Sequence, residues 1–344
     1  MKYTNKRNSY NYGYSYRRKR RNRKLQLTLR LVGFFTILTV LAITIILALQ
    51  PRNFVSTFEK KTYGDSISQS EMFANDLCVT DKDVRFEAFR TKDEFHGALL
   101  FDIKNRDVLY SERVHEKLYP ASTTKILTAY VALKYGDLTD TVTVSKNAVD
   151  IPSDSSSAYL KAGDRLTLKD TLYALMLPSG NDSAIAIAEH VSGSVEDFAK
   201  LMNQEAKKLG ATNTHFVNPH GYQSKEHYTT AYDLYLIFNE CIKNETFLDI
   251  ISATSRSTVV TEKNGNQRSV TWNQSNQFIN GGRSVPKGID VIGGKTGTTF
   301  DAGACIVLYV KDANETPYIS IIMGASSRRN LYDNMTFLLA AIPD

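Results

Sequence analysis

The strand-like segments of this chain stand at the two ends of one long stretch, with helix-like segments between them. "HGALLFDI" and "DVLYSE", around "KNRD", read as an early hairpin. "VIGGKTGTT", "GACIVLYVK" and "PYISIIMGA" read as three late strands, with "DANE" as the last turn. Neighbouring strands joined by short turns favour antiparallel pairing. The simplest closure is one five-stranded antiparallel sheet assembled from both ends of the domain. This makes the fold α+β: that sheet with flanking helices, and an all-helical lobe at about 113–255 beside it. A cleft between the two parts is the expected site.

The intervening segments have legible limits. A helix from about Ser122 is apolar on most faces, as in a central buried helix, and stops at Gly136. Thr167 is placed to cap a helix over 168–177, and another runs from about Asp182 to Ser192. Ser194 with Asp197 forms a capping pair for a helix ending at Gly210. "HYTTAYDLYLIFNECIK" reads as a further helix. Asn264-Gly265 signals a hairpin between Ser255 and Thr271, and residues 328–341 read as a closing helix.

Charge separates this domain from what precedes it. Eleven of the 42 Lys/Arg fall in residues 1–30, which hold no acid; with +6 overall, the remainder carries −5. A nucleic-acid-binding domain is expected to be basic on its own surface, so no nucleic-acid partner is expected. The basic tail at 1–30 is expected to be disordered and cytoplasmic. Leu31–Leu49 is an uncharged, mostly apolar run of about 28 Å in helical form, close to a bilayer core. Its length and its poor cleavage site, "ILALQPR", predict an uncleaved signal anchor at 31–50. The cluster "RRKRRNRK" before it places the N-terminus inside and the rest of the chain outside the cell membrane. Residues 51–80 read as a stem and 81–344 as the folded domain. Cys78, Cys241 and Cys305 allow at most one internal disulfide. Without CxxC or HExxH, and with scattered histidines, neither a metal nor a cofactor is expected.

Three short motifs carry chemistry. Ser122-Thr-Thr-Lys125 opens the buried helix, Ser179-Gly180-Asn181 lies in a turn between two helices, and Lys295-Thr296-Gly297 lies on the first late strand. Each has a bland reading alone. Ser-x-x-Lys recurs at Ser284–Lys287 around a proline, and Ser-x-Asn recurs at Ser9 and Ser145. Their joint order is far more specific. On a helix, i and i+3 share a face, which brings the Lys125 amine to the Ser122 hydroxyl. A serine is weakly nucleophilic until a base takes its proton, and burial with a neighbouring cation would make the amine neutral enough to do so. Ser179 can relay a proton to a leaving amine, Asn181 can hold an amide, and Lys295 and Thr296 can meet a carboxylate.

With "YPASTTKILTAYVAL", "LMLPSGNDSAIAIAEH", "THFVNPHGY…HYTTAYDL" and "GGKTGTT…AGAC", the chain resembles the low-molecular-mass penicillin-binding proteins, the serine-type D-alanyl-D-alanine carboxypeptidases, over about residues 75–344. The resemblance implies that Ser122 forms an acyl ester, Lys125 accepts its proton, and Ser179 is a further catalytic residue. It places Asn181, Lys295, Thr296, Gly297 and Thr298 in substrate binding, with the N–H groups of Ser122 and Thr298 as the oxyanion hole. Its substrates would be peptidoglycan stem peptides ending in D-Ala-D-Ala, and β-lactams would be covalent inhibitors. Arg268 and Arg283 are both candidates for the arginine that meets the substrate carboxylate. His220-Gly221 occupies the place of a β-lactamase glutamate, with His220 in a structural or substrate-shaping role; Glu226 is the only acid in that segment. A serine β-lactamase and a non-hydrolytic penicillin-binding sensor or wall-binding protein are the alternatives. Many members carry a C-terminal anchor; here the anchor is expected at the N-terminus.

Overall fold

The computed structural model describes residues 29–36, 38–41, 76–85 and 95–343. Its contacts divide the chain into two units, 1–72 and 73–344. In the first unit, residues 29–36 and 38–41 are helical and carry exposed apolar side chains, among them Leu31, Val32 and Phe34. Among the described residues no helix is long and apolar enough to cross a membrane. The expected span at 31–50 is described only in part. The expected tail and most of the expected stem lie outside the described residues.

The second unit begins its regular structure with strands β1 (Gly97–Asp102) and β2 (Asp107–Glu112). A 3₁₀ turn (Ala121–Thr124) then runs straight into helix α1 (Lys125–Tyr135). There follow β3 (Thr141–Thr143), α2 (Lys146–Val149), β4 (Arg165–Thr167), α3 (Leu168–Met176), α4 (Asn181–Ser192), α5 (Val195–Lys208), α6 (Ala231–Cys241) and α7 (Glu245–Ser252). The chain closes with β5 (Ser255–Thr261), β6 (Gln267–Asn273), β7 (Ile289–Thr299), β8 (Gly303–Asp312), β9 (Pro317–Ala325) and α8 (Arg328–Leu339).

The main sheet has the order β2-β1-β9-β8-β7, and every pair in it is antiparallel. Both of its faces are covered. Leu99, Phe101, Val307, Ile319 and Ile321 pack toward the helices of the middle segment. Ala98, Leu100, Ile306, Leu308 and Ile322 pack with Leu331, Met335 and Leu338 of α8. This two-sided cover explains why "GALLFD" is buried along its whole length rather than in alternation.

The middle segment is not all-helical. A second sheet, β3-β4-β5-β6, runs through it. The β5–β6 hairpin turns at Gly265, with φ +88°, as its Asn-Gly signal predicts. The additional strands are "TVT" and "RLT", each burying one side chain, Val142 or Leu166. Three residues with a single apolar position carry no readable period; β3 and β4 are strands because they pair with each other, and β4 meets β5 at Arg165 and Thr261.

Helix starts follow side-chain caps. Thr167 accepts from the Asp170 N–H at 3.0 Å, Ser194 from Asp197 at 3.1 Å, Thr230 from Asp233 at 2.9 Å and Ser327 from Asn330 at 3.1 Å. Each such cap stabilises by about 1 kcal/mol. The folded body also reaches further back than residue 81. Cys78 is fully buried, and its N–H donates to Tyr235 Oη at 2.9 Å. Cys78, Cys241 and Cys305 are all free and buried.

Candidate active site

The Ser122 turn is built by packing rather than by a cap. Pro120 precedes it without a side-chain cap bond, and Ala121 takes φ +47°, a left-handed conformation rare for a residue with a Cβ. Gly297 lets β7 pack directly on this turn: a Cβ there would lie 2.7 Å from Ser122 N and 3.0 Å from the Ala121 Cβ. The glycine of Lys-Thr-Gly therefore closes the gap between sheet and nucleophile. Gly180 is equally constrained, since a Cβ there would meet Asp182 Oδ1 at 2.5 Å. Ser179 before it has φ +65°. Non-glycine residues in this region cost of order 1–3 kcal/mol and persist where surrounding structure imposes them, commonly at functional sites.

Lys125 is 0% exposed. Its Nζ lies 3.0 Å from Ser122 Oγ, 2.7 Å from Asn181 Oδ1 and 2.8 Å from the His220 carbonyl oxygen. Burial, and next the charge of Lys295, hold its pKa well below the ordinary lysine value. A neutral amine has two N–H bonds and one lone pair. Asn181 Oδ1 and the His220 carbonyl accept the two bonds, which leaves the lone pair for the Ser122 hydroxyl. This burial excludes a solvated lysine at the start of the helix.

Lys295 is 1% exposed, and its Nζ donates to Ser179 Oγ at 3.0 Å and to the Thr296 carbonyl at 2.9 Å. Burial, then the Arg328 charge, lowers its pKa to about 7. Ser122, Ser179, Thr296, Gly297 and Thr298 line one part of the cleft, together with Gln277, Tyr332 and Arg328. Ser122, Asn181 and Thr298 also line an adjoining part, with Asp154, His220, Gly221, Tyr222 and Phe300. The seven site residues expected from the three motifs, and Thr298 after the last of them, thus meet at one cleft. Asp182 organises its rim: the carboxylate accepts from Ser157 Oγ at 2.7 Å and from the Ala158 N–H at 3.0 Å, holding the loop beside Ser156.

Arg328 was not among the sequence candidates. Of those, Arg268 pairs with Asp164 in the second sheet and Arg283 pairs with Asp333; neither lines the cleft. The missing signal is sheet register. Thr298 pairs with Ala304, and Ala304 with Ala325, so two antiparallel reversals return the end of β9 to the level of Thr298. Arg328 follows at once.

The remaining motif residues separate cleanly. Ser284 and Lys287 are exposed and outside any helix, and Ser145 caps α2. His220 contacts Lys125 through its carbonyl; its ring Nδ1 accepts from the Tyr222 N–H at 3.1 Å. Burial and then the Lys125 charge push the His220 pKa down to about 3. Glu226 is exposed, and its carbonyl, not its carboxylate, engages His215.

Comparison with known proteins agrees with this geometry. The chain is 32% identical over 251 residues to the D-alanyl-D-alanine carboxypeptidase DacF of Bacillus subtilis, covering 72% of this chain and 61% of that protein. It is 34% identical over 250 residues to DacC of Escherichia coli, covering 70% of this chain and 59% of that one. The chain thus spans less than two thirds of the length of these relatives. Among solved structures, the Streptomyces K15 DD-transpeptidase superimposes with a TM-score of 0.68 at 28% identity, covering 74% of this chain and 98% of that one. Penicillin-binding protein 5 of Haemophilus influenzae gives 0.64 at 29% identity, covering 73% and 71%. The S11 peptidase family, described as D-alanyl-D-alanine carboxypeptidase, matches residues 89–327. With that match running through all three motifs, this chain belongs to the S11 family of D-alanyl-D-alanine carboxypeptidases.

Proposed function

We propose that this chain is a membrane-anchored serine D-alanyl-D-alanine carboxypeptidase that trims the terminal D-alanine from peptidoglycan stem peptides. The observation that carries the reading is the buried Lys125 amine, 3.0 Å from Ser122 Oγ, with both of its other partners being acceptors. Ser122 attacks the carbonyl of the penultimate residue while Lys125 takes the hydroxyl proton. The N–H groups of Ser122 and Thr298 stabilise the oxyanion. Asn181 holds the amide of the acyl residue. Lys295, Thr296 and Arg328 meet the terminal carboxylate. Ser179 passes a proton to the departing amine, D-alanine leaves, and water releases the shortened peptide. A β-lactam presents the same carboxylate and a strained amide, and is expected to acylate Ser122.

The anchor reading rests on the sequence: the apolar run 31–49 follows a basic cluster, which favours a cytoplasmic N-terminus and an extracellular catalytic domain. Protease added to intact cells should degrade the domain and spare an N-terminal tag. The activity is tested on the full chain in detergent, by mass spectrometry after incubation with a penicillin and by D-alanine release from a D-Ala-D-Ala peptide. A Ser122 adduct and free trimmed peptide are expected. Product found only as an amide with an added amine would replace hydrolysis by transfer. No adduct and no D-alanine would remove the reading.

A further inference from the structure

We propose that His227 is a positioning residue that aims the Ser122 N–H into the cleft, acting through Thr124 and the Ala121 carbonyl. This rests on the acyl-transfer reading above and extends it to a residue outside the cleft lining.

His227 is 1% exposed and lies beneath the site. Its Nδ1 accepts from the Val217 N–H at 3.1 Å, so in the neutral ring the proton sits on Nε2. Burial, then nearby His215 and Lys125, keeps the ring neutral by lowering its pKa to about 3. Nε2 lies 2.8 Å from Thr124 Oγ1, and with this tautomer it is the donor. Thr124 then has one hydroxyl hydrogen left, and it donates to the Ala121 carbonyl at 2.8 Å. Phe216 stands edge-on to the imidazole at 5.2 Å between centroids and fixes the ring plane. The chain of bonds therefore has one direction only, from the Val217 N–H to the Ala121 oxygen.

The end of this chain matters because of the peptide unit. The Ala121 carbonyl and the Ser122 N–H belong to one planar trans peptide and point in opposite directions. Anchoring the oxygen on Thr124 Oγ1 aims the N–H the opposite way, toward β7, where Gly297 packs against Ser122 N. A hydrogen bond accepted by the carbonyl also polarises the amide and strengthens its N–H as a donor. The anchor opposes a real tendency to relax, since Ala121 holds φ +47°. Gly221 packs on the same carbonyl: a Cβ there would lie 1.8 Å from the Ala121 oxygen and 2.7 Å from Thr124 Oγ1.

The test separates the acylation rate constant from non-covalent binding of a penicillin, using the full chain in detergent. His227→Leu and Thr124→Val keep volume and remove the chain. Each should lower the acylation rate constant about 10- to 100-fold, approaching the loss of one oxyanion donor, with binding changed by less than about twofold. Thr124→Ser and His227→Gln retain a donor and should recover most of the rate. The double variant should be no worse than the poorer single, because both break one chain. Unchanged acylation in folded Leu and Val variants, a loss confined to binding, or additive losses would each overturn the proposal. A crystal structure of Thr124→Val provides a readout independent of activity. A rotated Ala121–Ser122 peptide supports the assignment and an unmoved one overturns it, even if the native chain were never acylated and the acyl-transfer reading failed.

Discussion

Lys125 Nζ reaches Ser122 Oγ, 3.0 Å away, across the junction between a 3₁₀ turn and an α-helix. In an α-helix, residues i and i+3 are offset by about 60° around the axis; in a 3₁₀ turn they eclipse. Ser122 sits in the tighter turn and Lys125 begins the regular helix, so the two side chains align more closely than a continuous α-helix would allow. Strand β7 packs on the Ser122 turn through Gly297, and Asn181 Oδ1 and the His220 carbonyl enclose the buried amine.

This pairing predicts a sharp mutational contrast. Ser122→Ala should abolish the penicillin adduct. Lys125→Met, similar in shape but without a base, should slow acylation by about 10²–10⁴-fold or more while leaving the fold intact. Ser284→Ala, in the exposed copy of the motif, should leave the rate unchanged. Mass spectrometry of the digested protein checks all three. A normal adduct on the Ser122→Ala protein would remove Ser122 from the mechanism.

Acylation should depend on pH in two opposed ways. Lys125 must be neutral to accept a proton, so the rate rises as pH passes its lowered pKa. Lys295 must be charged to meet a carboxylate, so kcat/KM should fall as pH rises through about 7. The two lysines interact, and the apparent values belong to the pair. A bound carboxylate stabilises the Lys295 charge, so the descending limb in kcat should lie at higher pH than in kcat/KM. Stopped-flow acylation between pH 5 and 10 tests this, and a rate that climbs without a descending limb would contradict the role of Lys295.

The five-stranded antiparallel sheet built from both ends of the domain, the β5–β6 hairpin and the Thr167 and Ser194 caps were legible in the sequence, and the joint order of three motifs pointed to one shared cleft. The strands, the hairpin and the caps are signalled locally, by a turn pair, a cap residue or an apolar period; the shared cleft was signalled only by the combination of motifs. What escaped is non-local. Strands β3 and β4 are too short to carry a pattern and exist through pairing with each other and, at Arg165 and Thr261, with β5. Arg328 reaches the cleft only because β8 and β9 reverse twice in register. Gly221 and Gly297 stand in the sequence as ordinary loop and strand glycines; their packing against Ala121 and Ser122 shows only in three dimensions.

Burial of Lys295 should cost stability. Its folded pKa of about 7 lies below the ordinary value of 10.5. Between these values the unfolded chain binds more protons than the folded one, so stability from this group rises with pH across that window. Below about pH 7 both states are protonated and the penalty is complete. Lys295→Met should therefore raise the melting temperature at pH 6, with the gain shrinking toward pH 10, while acylation is lost. Thermal melts at pH 6, 8 and 10 measure it. A destabilised Met variant at pH 6 would show that the bonds to Ser179 and the Thr296 carbonyl outweigh desolvation.

The two arginine classes should differ in what they change. Arg328→Gln removes a permanent cation from the cleft and should lower kcat/KM for a peptide with a free terminal carboxylate about 10- to 100-fold. A peptide amidated at that end should lose little further. Arg283→Gln breaks a partly exposed pair with Asp333 and should leave turnover unchanged, with at most about 1 kcal/mol lost in stability. Equal effects of Arg328→Gln on both peptides would take the carboxylate contact away from it.

The fate of the acyl-enzyme separates a carboxypeptidase from a β-lactamase. Both acylate a serine with the same groups, so the difference must lie in how water reaches the ester. A class A β-lactamase places a glutamate to activate that water. Here the corresponding segment brings the His220 carbonyl to Lys125, while Glu226 is exposed and turned toward His215 only through its backbone. No carboxylate in that segment stands beside Ser122 to activate a water independently of Lys125. On the proposed mechanism, D-alanine would leave the Lys295–Arg328 side of the cleft after peptide cleavage, and water could enter where its amine stood. After β-lactam cleavage, the amine remains tethered to the acyl group and occupies that path. The penicilloyl-enzyme should therefore persist far longer than the peptidyl-enzyme, and Glu226→Gln should change neither lifetime. The measurement is D-alanine release against penicillin turnover on the same preparation. Fast penicillin turnover that is lost in Glu226→Gln, with no D-alanine released, would make the chain a β-lactamase.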